Sequence, residues 1–147
     1  MMLSMLLLAC GPELVRTVNQ LDGEWAGTSQ LGASESSSWR EGKLSLGVLA
    51  EESTASVVWE ATGYFGDTGS DDALYTESYA CSIFVPRPGF VRLMNCNVNL
   101  NSAPDSESSG ELVFIESYRD GDRLYLGSYI LNRLSAEDAA LASQNRL

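Results

Sequence analysis

Lys43-Leu44-Ser45-Leu46-Gly47-Val48 sets each apolar side chain two residues from the next, with a charged or small residue between them. Successive side chains of a strand point to opposite faces, so this spacing gives one apolar face and one solvated face. The pattern returns at Val57, Trp59 and Ala61, which alternate with Val58, Glu60 and Thr62. It returns again at Phe90, Met94, Cys96 and Val98, with Asn95, Asn97 and Asn99 between. Extended outward, the period predicts strands over 24–31, 42–50, 56–65, 73–85, 90–100, 111–118 and 122–133, with Gly127 bending or splitting the last.

The connections fit an antiparallel chain. Asp120-Gly121 is a two-residue hairpin signal, and Pro86-Arg87-Pro88-Gly89 is another turn. The serine-rich stretches 34–38 and 102–109 are too polar for a core and read as exposed loops. Near the C-terminus Ser135 is a candidate N-cap, followed by Glu137 and Asp138 in a first turn, so a short helix is expected over 136–145. The fold class is all-β: a single antiparallel up-and-down meander closing into a small barrel, with a two-sheet β-sandwich as the alternative and a short C-terminal helix in either case.

Composition excludes several chemistries. The 147 residues fit one domain with a modest core. Twenty acidic residues against nine basic ones give a net charge of −11, and Lys43 is the only lysine, so nucleic acid is not an expected partner. There is no histidine. That removes Ser-His-Asp and Cys-His nucleophile activation and histidine-ligated metals. No cofactor and no metal is expected.

Met1-Met2-Leu3-Ser4-Met5-Leu6-Leu7-Leu8-Ala9-Cys10-Gly11 opens the chain with an apolar run too short to span a bilayer. Its Leu7-Leu8-Ala9-Cys10 stretch resembles the lipobox of bacterial lipoproteins, although Met1-Met2 lacks the basic residues of that family's leader. The resemblance implies that residues 1–9 are a signal peptide and that Cys10 is lipidated and becomes the first mature residue. Residues 10–22 would then be the lipidated cysteine and its tether, with the β-domain over 23–147. Gly11 stands where an aspartate would imply inner-membrane retention, so the expected place is the cell envelope, anchored by lipid, at the outer membrane.

Gly23-Glu24-Trp25 opens the first strand of the domain, and Arg133 closes the last. The pairing resembles lipocalin-like barrels, in which a Gly-x-Trp on the first strand meets an arginine near the end of the final strand. The resemblance implies barrel closure by Gly23, Trp25 and Arg133. A guanidinium over an indole face gives that closure a physical basis. Trp25, Trp59, Tyr79, Phe114 and Tyr129 are candidates to line an interior. Trp39, in a serine-rich loop beside Arg40, joins Trp59 and Tyr79 as a candidate ligand contact.

Asp67-Thr68-Gly69-Ser70-Asp71-Asp72 resembles the catalytic loop of aspartic proteases, and Tyr125-Leu126-Gly127 resembles their apolar-apolar-Gly element. That reading requires a dimer in which paired Asp67 carboxylates share a proton. Gly66 stands where an apolar strand residue belongs, and no glycine-rich flap is evident. A polar loop is the simpler reading. Asp67, Asp71 and Asp72 do not have the ligand spacing of an EF-hand loop.

Once Cys10 is acylated, Cys81 and Cys96 remain, in a compartment where disulfides form. If Pro88-Gly89 is a two-residue turn, Arg87 faces Phe90, and Cys81 falls directly opposite Cys96 on one face of adjacent strands. Cross-strand Cα separations of roughly 4.5–5.5 Å suit a disulfide. A bulge at the turn would slip that register by one residue and turn one cysteine away. Taken together, the sequence leads to the expectation of a lipid-anchored, non-catalytic envelope lipoprotein that binds a small hydrophobic molecule in its barrel. The alternative is a structural or interaction lipoprotein with a solid barrel and an envelope protein as partner.

Overall fold

The computed structural model describes residues 11–30, 37–65, 73–102 and 111–144. In chain order the elements are β1 (Glu13–Leu14), a 3-10 turn (Val18–Leu21), β2 (Gly23–Gln30), β3 (Ser37–Leu49), a second 3-10 turn (Ala50–Glu52), β4 (Thr54–Phe65), β5 (Ala73–Arg87) and β6 (Phe90–Asn101). They continue with β7 (Glu111–Ile115), β8 (Tyr118–Asp120), β9 (Arg123–Leu126), β10 (Tyr129–Arg133) and the helix α1 (Ala136–Gln144). The strands form one antiparallel ten-stranded sheet, ordered β1-β8-β9-β10-β2-β3-β4-β5-β6-β7. It is a curled meander, a half-barrel, in which β2 pairs with β10 and the sheet ends at β7 on one side and β1 on the other.

The alternation seen in sequence decides which face is buried. Across β2, β3, β4 and β5 one inward row is Trp25, Leu46, Val57 and Tyr79, in direct register, and these side chains are almost completely buried. Leu93, Leu124, Leu126 and Leu131 join the same cluster. Burying a side chain of this size is worth about 1.5–3 kcal/mol each, and that holds the curl.

Several expectations change. Residues 13–21, expected within a tether, are part of the fold. β1 pairs with β8, and Val15 and Leu21 are fully buried. The backbone of Val15 donates to Ser117 O (3.1 Å) and accepts from Gly89 N (2.9 Å), while Ser117 N donates to Gly89 O (3.0 Å). This segment therefore straps the β5–β6 turn to β8 at one end of the barrel. Trp39, expected in a loop, lies in β3 opposite Gly63, because β3 begins at Ser37. The stretch 122–133 is split at Gly127 as expected, into a hairpin whose turn Gly127 makes with a φ of +57°. The strand expected over 111–118 is likewise two strands, broken at Glu116 (φ +56°).

The inward face of β6 also differs. Val91 and Leu93 are buried, while Phe90 and Met94 lie on the other face. Asn95 (φ +52°) then inserts an extra residue, and the parity switches so that Cys96 packs against the core.

Candidate functional site

The site that holds the half-barrel together sits where its first long strand meets its last. Arg133 is the register partner of Trp25. Its guanidinium carbon lies 4.0 Å from the centre of the Trp25 ring. Nη1 donates to the carbonyl of Asp22, and Nε lies 3.6 Å from Asp122 Oδ1. The Trp25 indole N–H donates to Leu21 O at 2.8 Å, so the buried ring is also tied to the strap beneath it.

Gly23 explains the glycine of Gly-x-Trp. Its φ is +112°, and a Cβ there would come within 2.7 Å of Arg133 Nη1. Any other residue would strain the backbone and push the guanidinium off the ring. Gly23, Trp25 and Arg133 thus meet as expected from sequence.

The same reading misses Leu21, Asp22 and Asp122. Val15, Val18 and Leu21 recur every three residues, a signal for a short helical turn that could have drawn attention to the strap.

Farther into the barrel, Trp59 and Tyr129 meet. The Trp59 indole N–H donates to the Tyr129 hydroxyl at 2.6 Å, linking β4 to β10 over two intervening strands. Burial raises the Tyr129 pKa above its ordinary value, and the Trp59 hydrogen bond partly offsets that rise. Tyr79 donates its hydroxyl proton to Glu77 Oε2 at 3.0 Å. Burial first, then the hydrogen bond and the charge of Glu77, push the Tyr79 pKa from 10.0 up to about 12. Of the candidate contacts, Trp59 and Tyr79 therefore occupy the interior face, each with a polar partner from the protein itself.

Cys81 and Cys96 are joined, with Cα atoms 4.1 Å apart. The route to that pairing is not the simple one. Arg87 faces Phe90 as expected, but a slip between Phe84 and Arg87 shifts the next pairs by one residue, so that Ile83 faces Leu93. The bulge at Asn95 shifts them back, and beyond it Ala80 faces Asn97. Two compensating irregularities restore the register in which the cysteines meet.

Asp67 and the rest of its loop lie outside the described residues, as does Cys10, and the side chain of Trp39 is not among those described. Among the described residues no cluster of three or more acidic or cysteine side chains could hold a metal ion. No helix among them is long and apolar enough to cross a membrane. Comparison of the chain with protein-family models, with curated proteins and with solved structures finds no match.

Proposed function

We propose that the protein is a lipid-anchored lipoprotein of the cell envelope with a non-catalytic, structural or interaction role, built on a half-barrel whose interior is occupied by its own side chains. The observation that carries the second half of this reading is the pair of side-chain bridges across the interior. Arg133, Trp25 and Leu21 close one end, and Trp59 with Tyr129 spans the next level. A carrier needs apolar walls with unfilled space between them. Here the large inward side chains pack against one another in a single cluster. Lipid anchoring rests on the Leu7-Leu8-Ala9-Cys10 stretch.

The carrier reading makes a distinct prediction, so the two can be separated. Intrinsic tryptophan fluorescence is followed while monomeric long-chain fatty acids or a hydrophobic dye are titrated in. A solid interior gives no saturable change. A saturable change that disappears in Trp59→Ala would replace the interaction reading with the carrier.

A further inference from the structure

At the strapped end of the barrel the outer face of β5, β6 and β7 is apolar. Phe84, Arg92 and Val113 lie side by side in register, as do Arg87, Phe90 and Ile115. Phe84 is 50% exposed, Val113 46% and Ile115 56%, and Leu14 on the strap is 46% exposed. Leu14, Arg87, Phe90 and Ile115 line one open cleft of about 370 Å³, with Glu116 at its rim. Two of the chain's nine cations bracket the aromatic ring: the guanidinium carbon of Arg87 is 5.0 Å from the Phe90 centroid and that of Arg92 is 5.5 Å from it. Arg92 also pairs with Glu111 at 3.0 Å.

Here exposed aliphatic and aromatic side chains stand beside two arginines, in a chain of net charge −11. Apolar groups that enter the headgroup boundary, with guanidinium groups left at the phosphates, are the chemistry of an interfacial contact.

The chain path says what covers the patch. Three residues lie between Cys10 and Leu14, so a fully extended connection of four Cα–Cα steps reaches no more than about 14 Å. From Glu13 onward the chain is held in the sheet, leaving Gly11 and Pro12 as the only slack. If Cys10 carries acyl chains, Leu14 and the patch it belongs to are held at the lipid surface. Resting on that reading of Cys10, we infer that the face formed by Leu14, Phe84, Phe90, Val113 and Ile115 lies in the headgroup region of the anchoring membrane. Arg87 then contacts lipid phosphate, and the opposite barrel end, where β2 ends at Gln30 and β5 begins at Ala73, points away.

The test uses the full chain, expressed in a bacterial host and purified from membranes, with its mass measured first. Single cysteines at Ile115→Cys and at Asn99→Cys, an exposed position on the other half of β6, are labelled with an environment-sensitive fluorophore and reconstituted in phosphatidylcholine–phosphatidylglycerol vesicles. With brominated acyl chains in the bilayer, the probe at 115 loses on the order of half its emission, because interfacial groups sit roughly 5–10 Å deep, and the probe at 99 loses none. Acyl mass present with both probes unquenched overturns the membrane face and leaves lipidation intact. Quenching absent while the acylated protein is dimeric assigns the patch to a second copy of the chain and also overturns it. Absence of acyl mass on Cys10 overturns the parent reading and this one with it.

Discussion

Arg133 and Trp25 are cross-strand partners whose side chains stack, and through them β10, the last strand of the chain, is fastened to β2, its first long strand. The contact combines a cation over an indole face with a charge-assisted hydrogen bond to the Asp22 carbonyl. The Asp122 carboxylate is largely exposed and adds little.

Replacing Arg133 by alanine is expected to destabilise the domain by about 1–3 kcal/mol, from the lost stacking and the lost hydrogen bond to a charged donor. Arg133→Lys keeps the charge but loses the planar fork, so it should recover less than half of that. Trp25→Ala should cost more, about 3–5 kcal/mol, through cavity formation. Urea unfolding of the singles and the double variant measures the coupling. Strict additivity would show that the stacked geometry carries no energy.

Asn95 is the residue that brings Cys96 to face Cys81. Its φ of +52° suits asparagine and glycine and strains a β-branched side chain. Asn95→Gly should leave stability within about 1 kcal/mol, while Asn95→Val should lower it by roughly 1–3 kcal/mol. Deleting Asn95 removes the extra residue along with the bulge, so Cys96 should follow Met94 directly, still face Cys81 and still form the disulfide. Thiol labelling of the denatured, non-reduced protein reads this directly: the wild type and the deletion should both show none at 81 and 96, and two labelled thiols in the deletion would contradict this register. Reducing the wild-type disulfide, which closes a loop with a sequence separation of 15, should cost about 3 kcal/mol.

These two pairs also show what sequence could and could not reveal. Period-two alternation made the meander and its inward rows legible, because the pleat couples sequence parity to face. Gly23, Trp25 and Arg133 were legible as a closure, since a glycine and a tryptophan at one end and an arginine at the other have few other reasons to meet. The disulfide was expected from a hairpin with uniform register, yet the hairpin carries one slip near Phe84 and a second at Asn95 that cancels it. An asparagine in a run of alternating asparagines gives no local sign of which one leaves the pleat. The strap was hidden for a different reason: Val15 and Leu21 are isolated apolar residues in a polar stretch, and only tertiary contact shows that they are buried.

Tyr79 gives a pH dependence with a definite sign. Its folded-state pKa is raised from 10.0 to about 12, so the folded state holds its proton more tightly than the unfolded chain. The associated stability is fully present below pH 10 and is lost as pH rises toward 12. Denaturation midpoints should therefore fall across that window, and fall less steeply in Tyr79→Phe. An identical slope in the variant would remove Tyr79 as the cause.

Ser117 is completely buried, and its hydroxyl has no hydrogen-bond partner among the described residues. Ser117→Ala should be neutral or stabilising, by up to about 1–2 kcal/mol, since it removes an unsatisfied polar atom and leaves the backbone bonds to Gly89 and Val15 in place. A loss of more than about 1 kcal/mol in thermal unfolding would mean that the hydroxyl has a partner after all.

Acylation of Cys10 and a filled interior are both read by one measurement: native mass spectrometry of the protein purified in mild detergent from the membranes of the cell that makes it. The predicted spectrum shows a chain beginning at Cys10, carrying acyl mass on that residue and no bound small molecule. A chain that retains residues 1–9 without acylation, or one that carries a stoichiometric hydrophobic ligand, would contradict it.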